Sequence, residues 1–234
     1  MKFIAILLFS LLSISVCISQ NWNGHYSYHN SIDTSTGNGK IFTASENAIY
    51  IYSTQDDQLN VITTIDGLSG DFISNIHYST NFNKLIIGFE NGLIQIVDFN
   101  NDNILTLYDI IEKTTIPPNK KKINELTEVD NIIYIATGDD DGGDTSSVGV
   151  LKSIDGGLTW NSTGLNALIS PSSMNDIYIS PSDSNTLWVG TNNGVYKTND
   201  GGATWTNANN TAGLNIKDIK KFEILFNANN ITFI

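Results

Sequence analysis

The sequence predicts an all-β protein, a β-propeller of four-stranded blades with about four and a half blades present, a truncated ring. Three observations lead there. Pairs of short apolar runs joined by tight polar turns recur along the chain, and no stretch carries a helical period. The pattern Ser/Thr-x-Asp-Gly-Gly-x-Thr-Trp occurs twice, as SIDGGLTW from Ser153 and TNDGGATW from Thr198. Repetition at this spacing marks stacked four-stranded units rather than a sandwich.

Taken in order, residues 1–19 read as a signal peptide, with a basic start at Met1-Lys2 and an apolar run from Phe3 to Val16. That run is shorter than the roughly 20 residues a bilayer span needs. Small residues at Cys17 and Ser19 place cleavage before Gln20; lipidation of Cys17 is the alternative, and Val16 suits it poorly. Export to the periplasm, the outer-membrane surface or the medium follows. Cys17 is the only cysteine, so the mature chain uses no disulfide.

Four paired runs then align: KIFTASENAIYIY from Lys40, KLIIGFENGLIQI from Lys84, NIIYIATG from Asn131 and TLWVGTNNGVYKT from Thr186. Asn-Gly between two β-rich runs is a hairpin signal, because a tight turn needs positive φ. In the third copy this turn stretches into GDDDGGDTSS. Alternating segments precede the pairs, at Ile73, Ile123 and Met174, and a fourth strand follows, as in ILTLYDI from Ile104. The blades fall near 30–66, 73–112, 123–168 and 174–209, and residues 219–234 begin another.

The net charge is −12 and all 12 basic residues are lysine. Such a chain repels phosphate backbones, so nucleic acid is not an expected partner. Lys120-Lys121-Lys122, the one basic cluster, is expected in a solvated turn. Sialidase chemistry clamps a carboxylate bidentately with arginine, and this chain has none. Another glycosidase would need two carboxylates about 5–10 Å apart; no pair stands out, and Glu90 and Asp98 read as ordinary strand and turn residues.

In the repeated motif, Asp155 and Asp200 sit in turns where a carboxylate accepts neighbouring N–H groups. Gly156-Gly157 and Gly201-Gly202 permit positive φ, with Ser153 and Thr198 opening each turn. Thr159 and Thr204 start the returning strand, and Trp160 and Trp205 plug the space between sheets. The motif is a turn, and no catalytic residue is assigned. The one metal candidate is the acidic loop, where Asp139, Asp141 and Asp144 offer hard oxygens to calcium; Val150 stands where an EF-hand would carry Glu. No other cofactor is expected. His25 and His29 stand about 13 Å apart along a strand, too far to share a metal, and His77 stands alone. DGLSG at Asp66 joins two blades. Tyr26, Tyr28, Tyr50, Tyr52 and Trp188 are read as packing residues.

From Thr64, TIDGLSGDFISNIHYSTNFNKLIIGFENGLIQIVD resembles the propeller repeats of two-component regulators. With NWNGHYSYHN from Asn21 and DIIEKTTIPPNKKKIN from Asp109, residues 21–137 resemble the PorZ family of N-terminal propellers in the type IX secretion system of Bacteroidetes. That resemblance implies a non-enzymatic module in a complex that attaches secreted cargo to anionic lipopolysaccharide. Residues 138–209 resemble instead the Asp-box, or BNR-repeat, propellers of secreted sortilin-like proteins, in which the box lies away from the catalytic face. The expected function is a secreted interaction module with a protein or surface-glycan partner. A polysaccharide-binding or glycoside-hydrolase-like Asp-box protein and a periplasmic sensor propeller are the alternatives.

Overall fold

The computed structural model describes residues 30–112, 121–138, 147–169 and 172–209, together with the backbone of 224–227 and 230–233. The leader with Cys17, the stretch holding His25, Tyr26, Tyr28 and His29, Lys120, and the loop with Asp139, Asp141 and Asp144 lie outside the described residues.

Four antiparallel four-stranded sheets follow one another, each a meander in chain order. The first blade is β1 (Asp33–Gly37), β2 (Lys40–Ala44), β3 (Ile49–Ser53) and β4 (Leu59–Ile62); the second is β5 (Ile73–Ser79), β6 (Lys84–Phe89), β7 (Ile94–Asp98) and β8 (Asn103–Leu107). The third is β9 (Lys122–Val129), β10 (Ile132–Gly138), β11 (Val150–Ser153) and β12 (Asn161–Ser162); the fourth is β13 (Met174–Ile179), β14 (Leu187–Thr191), β15 (Gly194–Thr198) and β16 (Thr206–Asn207). A fifth, two-stranded sheet pairs β17 (Ile224–Asn227) with β18 (Asn230–Phe233). This is a β-propeller, four blades and the start of another sheet.

Local chemistry explains the turns. Asn38 and Gly39 (φ 49° and 70°) form a two-residue hairpin between β1 and β2, and Asp130 and Asn131 (φ 47° and 66°) do the same between β9 and β10. Two short helices, α1 (Asp109–Glu112) and α2 (Leu165–Ile169), leave the fourth strands of blades two and three. The segment from Ile104, expected as strand to its end, is therefore strand only to Leu107. Thr159 and Thr204 do not start strands either: β12 begins at Asn161 and β16 at Thr206.

The first strands β1, β5, β9 and β13 lie side by side and form the inner wall. Three of them carry a β-bulge at one matching place, with Ser74, Asn124 and Asn175 as the extra residues. Free N–H groups on the inner edge of β5 find acceptors in the preceding blade: Ile76 N donates to Asp33 Oδ2 and Tyr78 N to Ser35 Oγ, both at 2.8 Å. An unpaired edge would otherwise expose those groups.

Each hydrophobic cluster spans two blades. Phe42, Ala44, Ile49 and Ile51 of blade one meet Leu85, Ile87 and Phe89 of blade two. On the other side of blade two, Ile86, Ile94 and Ile96 meet Ile123, Leu126 and Ile133 of blade three. Tyr134, Ala136 and Val150 then meet Met174, Leu187 and Val189 of blade four. So β6 is buried on both faces, as a sandwiched sheet must be. On β2 only one face is covered, and Ile41, Tyr52 and Leu59 on the other face of blade one are 38%, 37% and 52% exposed.

Close approach at the second seam needs a residue without a side chain. A methyl group on Gly88 would come within 2.6 Å of Ile123 Cβ, which no rotamer change relieves. Gly88→Ala is expected to push blades two and three apart and destabilise the fold by roughly 1–3 kcal/mol, read as a lower urea midpoint; an unchanged midpoint would show that the seam can give.

Candidate functional site

The two Asp-Gly-Gly turns adopt one hydrogen-bond pattern. In the first, Ser153 Oγ donates to Asp155 Oδ1 at 2.7 Å and accepts from Gly157 N at 2.9 Å. Asp155 Oδ1 also accepts from Thr159 N at 2.9 Å, and Oδ2 accepts from Thr159 Oγ1 at 2.7 Å. In the second, Thr198, Asp200, Gly202 and Thr204 repeat each of these bonds, with Thr198 Oγ1 to Asp200 Oδ1 at 2.6 Å and Gly202 N to Thr198 Oγ1 at 3.0 Å. The four glycines stand at φ 64–89°, where other residues are strained.

Each turn packs on the blade before it. Gly156 and Gly157 lie against Phe82, Ile86 and Ile96, and Gly202 lies against Thr163. Trp160, 2% exposed, sits in the cluster of the second and third blades. Trp205 is half-buried against that of the third and fourth. Gly201 O accepts from Lys152 Nζ at 3.2 Å and from Tyr134 Oη at 3.4 Å.

The electrostatics match a structural task. Burial alone would raise the pKa of Asp155, yet the bonds from Thr159 and Ser153 hold it below the usual carboxylate range. Bonds from Thr198 and Thr204 take Asp200 down to about 2. Both oxygens of each carboxylate accept hydrogen bonds from within their own turn.

Beside the first turn lies a cavity of about 310 Å³ between blades two and three, lined by Asp109, Ile110, Val148, Leu151, Trp160, Ser162 and Asn166. Asp109 Oδ2 accepts from Trp160 N at 3.3 Å. Sequence reasoning missed this site, since Asp109 of helix α1 lies 51 positions before Trp160, which it meets across the seam.

Other charged residues are engaged in the seams. His77, read as alone, meets Glu128 Oε2 of the next blade at 3.1 Å. Ser79 Oγ and Asn81 Nδ2 donate to Glu128 Oε1 at 3.0 and 3.1 Å. Burial raises the Glu128 pKa, and these bonds together lower it further than burial raises it. Lys121 corrects the expectation of a solvated basic turn: it is 2% exposed, its Nζ donates to Ile111 O at 2.8 Å, and burial lowers its pKa. Asp98 is buried at the end of β7, accepting from Asn100 N and Asn101 Nδ2 at 2.9 Å, whereas Glu90 lies 3.9 Å from Lys122 Nζ. Tyr50 is buried and Tyr52 exposed. Trp188 is buried beneath Lys197 Nζ, 5.0 Å from its ring centre. Among the described residues no group of three or more His, Cys, Asp or Glu could hold a metal ion, and no helix is long and apolar enough to cross a membrane.

Residues 41–138 match the family model of the N-terminal β-propeller domain of PorZ, of the type IX secretion system. A search of curated proteins returned no match. Among solved structures, the extracellular domain of BT4673 from B. thetaiotaomicron, assigned to a hybrid two-component system, is similar with a TM-score of 0.57 at 14% identity over 79% of this chain. PorZ of Porphyromonas gingivalis is similar with a TM-score of 0.54 at 18% identity over 79%. An ancestral GH74 enzyme gives 0.55 at 20% over 76%. This chain spans 23%, 23% and 24% of those chains. At such identities the likeness is one of fold.

The turns set a pH dependence. A carboxylate with a depressed folded pKa stabilises above its unfolded pKa, near 3.9, and that contribution is lost as pH falls through the folded value, about 2 for Asp200. Asp200→Asn should therefore lower the melting temperature at pH 7, with the gap to wild type closing between about pH 4 and 2. A pH-independent gap would contradict this. Trp160→Ala should cost roughly 3–5 kcal/mol in chemical unfolding.

Proposed function

We propose that this chain is an exported, non-enzymatic propeller module that mediates binding at the cell surface in association with type IX secretion. The observation that carries this reading is the PorZ match across residues 41–138, from β2 through β10. The commitment of both motif carboxylates to their turns supports it. On this reading residues 21–137 are PorZ-like blades, residues 138–209 are Asp-box blades, and the partner is a protein or a surface glycan.

Two other readings each have an observation in their favour. The repeated turns and the likeness to a GH74 enzyme favour a polysaccharide-binding or polysaccharide-cleaving protein. The likeness to BT4673 favours a periplasmic sensor propeller.

Deleting the gene in its host should release type IX cargo from the cell surface into the medium; cargo that stays attached would overturn the assignment. Purified protein should not hydrolyse model sialosides or glucans. Turnover that disappears on a carboxylate-to-amide substitution would favour the enzyme instead.

A further inference from the structure

We propose that Asn38 is a site of spontaneous deamidation, converted to aspartate and isoaspartate by attack of its own backbone, and that the Tyr78 hydroxyl holds the reaction back. This goes beyond the proposed surface role and does not depend on it. An asparagine followed by glycine is open to this reaction because no side chain shields the glycine nitrogen. Three such pairs lie among the described residues: Asn38-Gly39, Asn91-Gly92 and Asn193-Gly194.

The fold separates them. Gly92 is buried, and its N–H donates to Phe89 O at 3.1 Å. Gly194 is buried and opens β15 opposite Thr191. Asn38 and Gly39 are both exposed, in the two-residue turn between β1 and β2. Among the described residues no acceptor meets Gly39 N.

The reaction needs only the turn and water. Gly39 N gives up its proton to hydroxide and bonds to Asn38 Cγ. The Cγ–Nδ2 bond breaks, and Nδ2 takes a proton from water and leaves as ammonia. Water then opens the succinimide at either carbonyl, giving aspartate or an isoaspartate whose main chain runs through the side chain. Nothing is oxidised or reduced.

Tyr78 is the brake. Its ring lies against Gly37, and its Oη accepts from Asn38 Nδ2 at 2.8 Å while donating to Asn83 Oδ1 at 2.6 Å. The first bond pins the amide to blade two. The second commits the hydroxyl proton, so Tyr78 does not hand it to the departing nitrogen. Attack follows when the amide lets go of Tyr78 and the turn opens. Conversion removes the donor from this chain of bonds. The isoaspartate also adds a methylene group to the turn after β1, the strand that supplies Asp33 and Ser35 to β5.

The test is peptide mapping by mass spectrometry of the purified chain held at mildly alkaline pH, with electron-transfer fragmentation to tell isoaspartate from aspartate. Conversion is expected at Asn38 ahead of Asn91 and Asn193, and more slowly than in the free peptide of residues 35–41. Tyr78→Phe keeps the ring and removes the acceptor. It should speed conversion at Asn38 roughly two- to tenfold, the factor one hydrogen bond carries, and leave Asn91 and Asn193 unchanged. A general loosening of the fold would quicken all three alike. No conversion at Asn38 over many times the period in which the peptide converts, earlier conversion at Asn91 or Asn193, or a Tyr78→Phe rate at Asn38 that is unchanged or rises only in step with the other two would overturn the proposal.

Discussion

Face-to-face packing of successive sheets is the constraint on which the rest of this structure depends. A four-stranded sheet of five-residue strands has no interior, and every large cluster here is shared between two blades. Each buried aliphatic side chain in a seam contributes about 1.5–3 kcal/mol, so stability accrues seam by seam. The same constraint explains Gly88, where backbone rather than side chain meets the neighbouring blade. It also explains why polar groups in the seams are paired. Glu128 reaches into a low-dielectric space and is tolerated because His77, Ser79 and Asn81 meet it there.

The turn between the third and fourth strands performs one task with different residues. In blade two, Asp98 ends β7 and accepts from Asn100 N two positions on, and Phe99 packs into blade one, 5.8 Å from the ring of Phe42. In blades three and four, Ser153 and Thr198 occupy the strand-ending place, each accepting from the N–H two residues on. Trp160 and Trp205 then pack into the blade before. A side-chain oxygen captures the turn and an aromatic ring seals the seam.

Much of the fold was legible because it rests on local signals. Alternating runs and positive-φ residues at the hairpins place the strands of all four blades. The seams were less legible. His77 and Glu128 lie 51 positions apart, as do Asp109 and Trp160, and no periodicity within one strand reports on the register between neighbouring blades. Lys121 shows the same gap: three consecutive lysines look solvated, but the chain entering β9 passes under Gly92 and leaves the middle one inside. Asp109 was read as part of a strand and is the first residue of a helical turn, which is what brings its carboxylate to the cavity.

The shared mechanics of the turns bear on how the two halves of the chain are related. A change of sequence style after residue 137 suggests two kinds of protein joined end to end. Packing does not change there: β9 and β10, on one side of the change, share a sheet with β11 and β12 on the other. The inner-strand bulge recurs at Ser74, Asn124 and Asn175 on both sides as well. A blade's contacts depend on its two faces and its closing turn, and any sequence that meets those three demands can follow any other. Chemistry, by contrast, needs particular groups aimed at one point. In the described blades Asp98, Asp155 and Asp200 turn their carboxylate oxygens back on the turns that hold them, so these acids serve the closing of the blade.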